Sequence, residues 1–195
     1  MKRRYIFLYS AAIVALAIYY LFSIYLLPRM YLSLPEVTAS PVLRVNMSSS
    51  VVKVGDVFTL AVAGDNQGDK ADIQIISVAF PNLTSTKGVV HIKNHDFSHN
   101  PVFIEVGEQI GSSYAGLEKL VSAKYPSVEF YSRPWYPHET HSLQIEVTPD
   151  KVGRFVIFVK SVALPHTTDL ANFPRAGIRD HQQEFVEVYF VMVQP

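Results

Sequence analysis

From Val42 onward the chain alternates short apolar runs with polar turn clusters, and the runs are rich in β-branched residues. "VLRVNM" and "VVKVGDVFTLAVAG" read as strands. In the second, Val57, Thr59 and Ala61 alternate with Phe58, Leu60 and Val62, which predicts a strand buried on both faces. "GDNQGDKAD" is a turn cluster, "IQIISVAF" is the next strand, and Pro81 stops it. "KGVVHIK" and "PVFIEV" predict two shorter strands. "SSYAGLEKLVSAKYP" differs: Leu117, Leu120 and Val121 have helical spacing, Ser112 or Ser113 can cap the start, and Pro126 follows the end. One short helix is expected there. "SVEFYSRPWYPHETHSLQIEVTP" returns to strands around an aromatic, proline-rich bend. "GRFVIFVKSVAL" and "EFVEVYFVMV" are strong strands, and "TTDLANFPRAGIRDHQQ" between them reads as a long loop. About seven to nine strands at this spacing, with no internal repeat, predict an all-β antiparallel sandwich.

The N-terminal pattern is of another kind. Tyr5–Leu27 is 23 residues without a charge, and a helix needs about 20 to cross a bilayer. Tyr5, Tyr9, Tyr25 and Tyr31 cluster near the ends of the block, as interfacial aromatics do. Lys2, Arg3 and Arg4 precede it, so the positive-inside rule keeps the N-terminus cytoplasmic. The block exceeds the roughly 7–15 apolar residues of a cleaved signal peptide, and no small-residue cleavage site follows Pro28 and Arg29. The expected organisation is a cytoplasmic tip (1–4), a transmembrane signal anchor (5–27) in contact with the lipid bilayer, an extended stalk with three prolines (28–41) and an extracytoplasmic sandwich (42–195). The segment at about 98–140 reads as an insertion in that sandwich. The predicted localisation is the cell membrane, single-pass, with the C-terminal domain outside.

Charge and composition narrow the function classes. The net charge is zero, but residues 30–195 hold 13 basic and 17 acidic side chains, a net of −4. No basic patch is visible, which argues against nucleic acid as a partner. The absence of cysteine excludes disulfides, Cys-ligated zinc, iron–sulfur clusters, thiol nucleophiles, a lipoprotein anchor and a blue-copper site. No P-loop or dinucleotide fingerprint is present, so no cofactor is expected.

Two stretches carry a resemblance. "VVKVGDVFTLAVAGDNQGDKADIQIISVAFP" shows a Val-rich lead, Gly55-Asp56, a strand, the turn Asn66-Gln67-Gly68, a strand and a proline. "VTPDKVGRFVIFVKSVA" places Pro149, Gly153 and Phe155 at the start of a strand pair. Both resemble immunoglobulin-like surface domains of the prokaryotic, cell-adhesion-related (CARDB-like) kind, over about half of residues 42–195. The resemblance implies an archaeal-type, membrane-anchored surface protein whose domain binds or builds and does not catalyse. Independently, the Gly55, Asn66-Gln67-Gly68 and Gly153 positions suit turns in which φ > 0 is tolerated.

Several side chains could carry chemistry. "HIKNHDFSHN" spaces His91, His95 and His99 four residues apart. On a helix they would share a chelating face. On a strand successive imidazoles stand about 13 Å apart, too far for one ion. Asn94, Asp96, Ser98, Asn100 and Pro101 favour a strand running into a loop. A narrower alternative brings His99 to His138 and His141 of "PHETH", with Glu139 or Asp96, as a copper- or zinc-binding module. The His-Glu-x-His register does not match the zinc-protease pattern. Asp65, Asn66, Asp69 and Asp72 are hard oxygen donors without EF-hand spacing, so a plain turn is favoured. "GSSYAG" is one residue too long for a nucleophile elbow, and a hydrolase reading would rest on Ser113. Tyr131, Arg133, Trp135 and Tyr136 form either an exposed hot spot for a protein partner at the cell surface or in the membrane, or a bend whose Trp fills the core. Asn46-Met-Ser and Asn82-Leu-Thr are N-glycosylation acceptor patterns.

Overall fold

The computed structural model describes residues 2–23, 38–114, 117–165 and 171–195. The chain divides into two compact units, 1–36 and 37–195. The first holds α1 (Lys2–Leu21), whose side chains are described from Ser10 and include exposed Ile13, Leu16, Ile18 and Tyr19. Among the described residues no helix is long and apolar enough to cross a membrane.

The second unit is an antiparallel β-sandwich. One sheet has the order β1 (Pro41–Met47), β3 (Phe58–Asn66), β10 (Thr140–Val147), β5 (Val90–His95). The other has the order β13 (Ile178–Arg179), β14 (Phe185–Gln194), β11 (Gly153–Leu164), β4 (Ile73–Ala79), β9 (Ser127–Ser132), β6 (Val102–Ile104). β12 (Ala171–Phe173) pairs with β11, and β2 (Val51–Lys53) joins β14 in parallel. The order 1-3-10-5 facing 14-11-4 is that of an immunoglobulin-like sandwich. It departs after β4. The chain crosses to the first sheet for β5, returns for β6 and β9, and crosses again for β10.

Strand parity builds the core. Phe58, Leu60 and Val62 of β3 face inward, as do Leu143, Ile145 and Val147 of β10 beside them. Ile76 and Val78 of β4, Phe130 of β9 and Ile157 and Val159 of β11 meet them from the other sheet. These side chains are almost wholly removed from water, and each such burial contributes about 1.5–3 kcal/mol. Because side chains alternate with period two, Thr59 and Ala61 lie on the outer face, where they are half-buried. Val57 is 56% exposed. The expectation of a strand buried on both faces is therefore corrected: β3 has one buried face, and apolar outer residues are not covered by a further layer.

The expected helix is also corrected. Gln109–Tyr114 (β7) and Leu117–Ser122 (β8) pair antiparallel, from Gln109 with Ser122 to Tyr114 with Leu117. Ser112 and Ser113 lie in the first strand of this hairpin and cap no helix. A single turn or two of helix gains little on its own, whereas hairpin pairing satisfies backbone groups of both segments. The predicted long loop at 167–183 contains the short strands β12 and β13.

Two of the expected glycine turns have positive φ, 83° at Gly55 and 127° at Gly153. The third works differently. A Cβ on Gly68 would lie 2.3 Å from the Thr38 carbonyl oxygen and 2.6 Å from the Ser40 nitrogen. Glycine is needed there because the entering backbone passes against it. Gln67 N–H donates to Ser40 O and Asp69 N–H to Thr38 O, at 2.9 and 2.8 Å. The fully buried Asn66 completes the splice. Its Oδ1 accepts from Ser40 and Gly68 N–H at 3.1 Å each, and its Nδ2 donates to Asp69 O at 2.7 Å. Asn66 and Asp69 thus act on backbone groups, with Asp69 Oδ2 accepting from Thr38 N–H at 3.1 Å.

Candidate functional site

The segment between β9 and β10 begins with a cis Arg133–Pro134 peptide. Pro134 and Pro137 have no N–H to give, so the segment cannot extend a ladder. It is bridged to the residues before β4, where Trp135 and Ala71 exchange two backbone hydrogen bonds of 2.9 Å. Trp135 is 0% exposed and packs with Ala39, Ala71 and Ala163. Those three small side chains leave room for the indole, and its Nε1–H donates to Glu139 O at 2.9 Å. The reading of Tyr131, Arg133, Trp135 and Tyr136 as one exposed patch is corrected: Trp135 belongs to the core.

Its neighbours divide. Tyr131 is half-buried and its hydroxyl donates to Glu129 at 2.5 Å. Burial, then the Glu129 charge and hydrogen bond, push this phenol well above its usual range. Arg133 is exposed, and Tyr136 is 52% exposed with the Lys70 ammonium 5.4 Å from its ring centroid. His138 has φ of 60° and its N–H donates to Asn66 O at 2.7 Å.

The histidines do not converge. His91 and His95 lie on β5, an edge strand, and His99 follows in the loop, with Nδ1 2.9 Å from Ser98 Oγ. His95 is half-buried against Phe130, ring centroids 5.8 Å apart. His141 sits on β10 opposite Gly64. Its Nδ1 is 3.5 Å from Asp96 Oδ1 and its Nε2 is 3.5 Å from Glu139 Oε1. Ser142 fixes Asp96, through its N–H at 2.6 Å and its hydroxyl at 3.0 Å. Each ring nitrogen thus faces a carboxylate, and among the described residues the buried Nε2 makes no hydrogen bond. Among the described residues no group of three or more His, Asp or Glu side chains is placed to hold a metal ion. His99, His138 and His141 therefore form no such group here.

A different cluster stands on the outer face of the larger sheet. Lys160 is the one charge inside the apolar run of β11, and it is 6% exposed. Even-numbered positions of β11 point away from the core, so Lys160 emerges opposite Ser77 of β4. The connection from β13 to β14 folds over it. Lys160 Nζ donates to Asp180 Oδ2 at 2.6 Å and also to Gln182 Oε1 and Glu184 Oε2. Asp180 and Glu184 are 8% and 6% exposed. Asp180 also shapes its own turn: its Oδ1 accepts from Gln182 N–H at 2.8 Å and Glu184 N–H at 3.0 Å. Tyr125 and His181 close the side, rings edge-on at 4.8 Å. The cavity there measures about 10 Å³, room for about one water.

Electrostatics follow from this enclosure. Burial opposes the charge on Lys160, but Glu184 and Asp180 outweigh it and hold the ammonium above its usual range. Burial pushes His181 down, with Lys160 and Lys124 adding to the effect against Asp180. Burial, and then Asp180, raise the Tyr125 phenol. Residue-type spacing did not identify this cluster. The available signal was a lone lysine inside "FVIFVKSVAL", which must find a partner if the strand is buried, and the acidic "RDHQQE" downstream.

At the end of the sandwich away from Trp135, a cavity of about 150 Å³ is lined by Asn82, Leu83 and residues 150–155. Small-molecule sites run to roughly 300–1,000 Å³. Asn82 is committed there: its Oδ1 accepts from Val156 N–H at 2.7 Å. Asn46 is exposed on the edge strand β1.

No protein-family model matches the chain, and no curated protein does. Among solved structures it is similar to the CARDB domain of a Pyrococcus furiosus protein, solved in complex with di-metal ions. That match has 13% identity and a TM-score of 0.38, over 83% of this chain and 95% of the other. It is similar also to a cohesin module of a Clostridium perfringens family 33 glycoside hydrolase, at 8% identity and TM-score 0.37, covering 81% and 98%. A third is AvmM, which catalyses macrocyclization in alchivemycin A biosynthesis, at 9% identity and TM-score 0.43, covering 82% and 91%. Likenesses this remote carry no functional argument. The immunoglobulin-like assignment rests on strand order and register.

Proposed function

We propose that this chain is a membrane-anchored extracytoplasmic module that binds or braces a protein partner and has no catalytic centre. The observation that carries the reading is the apolar N-terminal block followed by a sandwich in which the most connected buried polar groups hold strands and turns together. Tyr5–Leu27 has no charge, and Lys2, Arg3 and Arg4 precede it. The described part of α1 exposes Ile13, Val14, Leu16, Ile18 and Tyr20, a helix without a polar face, as a lipid-embedded helix has. In the sandwich, His141, Lys160 and Asn66 each face groups that hold strands or turns together. The partner surface in this reading centres on the exposed Arg133 and Tyr136, beside the splice at Thr38–Ser40, and the sequon residues Asn46 and Asn82 are both exposed.

The test is topology in cells. The full chain should stay in the membrane pellet through an alkaline carbonate wash, and protease added to intact cells should digest the 38–195 unit. Release by carbonate, or protection from protease, would overturn the reading. Photocrosslinking from position 136 should then capture a partner that an Arg133→Glu exchange weakens.

A further inference from the structure

We propose that Lys160 and Asp180 are joined by an intramolecular amide bond that the folded protein forms by itself, with Glu184 carrying protons. The inference is independent of the membrane reading and rests on four features of the cluster.

The first is approach. Lys160 Nζ and Asp180 Oδ2 are 2.6 Å apart, held by β11 on one side and the β13–β14 turn on the other. Groups fixed in such a geometry react with effective molarities of about 10⁵–10⁸ M in well-oriented cases. The second is the acceptor's environment. Asp180 Oδ1 already lies between the N–H groups of Gln182 and Glu184. Two backbone donors on one oxygen are what stabilise the oxyanion of a tetrahedral intermediate. Glu184 also touches Nζ, but among the described residues no comparable pair of donors holds its carboxylate. The third is the proton carrier. Glu184 Oε2 accepts from Nζ, so it can take a proton from nitrogen and return it to oxygen. The fourth is dryness. Lys160, Asp180 and Glu184 are each at most 8% exposed, and exclusion of water protects the product from hydrolysis.

The step balances without a co-reactant. One proton crosses the hydrogen bond from the ammonium to Asp180 Oδ2, giving a neutral amine and a neutral acid. The nitrogen lone pair attacks Cγ, and the carbonyl electrons move to Oδ1 between the two N–H groups. Glu184 removes a second proton from nitrogen and delivers it to Oδ2. The Cγ–Oδ2 bond breaks, water leaves, and Glu184 is again a carboxylate. The product is a covalent tie across the outer face of the sheet, in a chain that has no cysteine for a disulfide.

Intact mass spectrometry of the purified full chain tests this. The wild type should weigh less than its sequence by one water molecule. Trypsin should leave Lys160 uncut and release residues 155–175 joined to residues 180–195, with fragment ions placing the link at Asp180. Asp180→Ala should restore the full mass. Glu184→Gln, which keeps the side chain's shape, should leave most of the protein unlinked. A wild type at full sequence mass after prolonged incubation would overturn the proposal without any variant. So would a deficit that persists in Asp180→Ala, or a link mapped to Glu184.

Discussion

Replacing Trp135 by alanine separates a core residue from a binding surface. The whole indole is enclosed, with 0% of the residue exposed. Burying about 150–250 Å² of aromatic surface, at about 25 cal/mol per Å², contributes roughly 4–6 kcal/mol as an upper bound. The Nε1–H bond to Glu139 O would also be lost, at a cost of about 1 kcal/mol, although that carbonyl keeps the Asn66 N–H at 3.3 Å. The neighbours Ala39, Ala71 and Ala163 are too small to collapse into the space. A destabilisation of about 4 kcal/mol is therefore expected, within the roughly 3–5 kcal/mol range for Trp→Ala. Trp135→Phe keeps most of the apolar volume and should cost about half as much, through the lost donor and a smaller cavity. Urea unfolding followed by far-ultraviolet circular dichroism measures both, because Trp135 is the sole tryptophan. With a slope of about 2 kcal/mol per M, the alanine midpoint should fall by about 2 M. In the wild type, tryptophan emission should be blue-shifted and shielded from iodide. A loss under about 1 kcal/mol, or quenching like that of free indole, would show that the ring is not enclosed.

Two further changes address other joints. Gly68→Ala places a methyl group against the backbone of Thr38–Ser40 and should lower stability by about 2–3 kcal/mol, with faster amide exchange at Gln67 and Asp69, whose N–H groups bond across the splice. An unchanged exchange pattern would refute the close-approach argument. Partial burial would raise the Glu105 carboxyl, but hydrogen bonds from Thr86 and Ser85 and the charge of Lys87 hold it below the usual carboxylate range. A depressed acid stabilises the fold above its unfolded value, near 4.5, and the contribution is lost as pH falls through the folded value. Thr86→Val removes the 2.7 Å hydroxyl bond, so acid unfolding should begin at higher pH in the variant. Coincident acid transitions for variant and wild type would show that the bond has no such effect.

Hydrophobic alternation made most of the sandwich readable, because a buried strand face is written into successive odd or even residues. β3, β4, β10, β11 and β14 coincide with apolar runs quoted from the sequence. β7 and β8 did not show themselves, since Leu117, Leu120 and Val121 satisfy helical spacing over a stretch too short to choose, and the choice fell to pairing with Gln109–Tyr114. Asn66-Gln67-Gly68 was legible as a turn, but its reason was not. The backbone that excludes a Cβ at Gly68 comes from residues 38–40, a contact that local sequence does not encode.

The same division holds for the candidate sites. The sequence by itself determined a β-rich chain without thiol chemistry, an uncharged N-terminal block and a set of polar residues that could act. Composition and period are local properties and survive in a string of letters. Which polar residues meet is a non-local property, decided by strand order and register. Lys160 lies 20 residues from Asp180 and 24 from Glu184 in the chain, and they meet because β14 returns beside β11. Of three evenly spaced histidines, His91 and His95 stay apart because β5 sets them along an edge, and His99 lies in the loop beyond it. Trp135 is enclosed because three alanines from distant segments leave a space of its size.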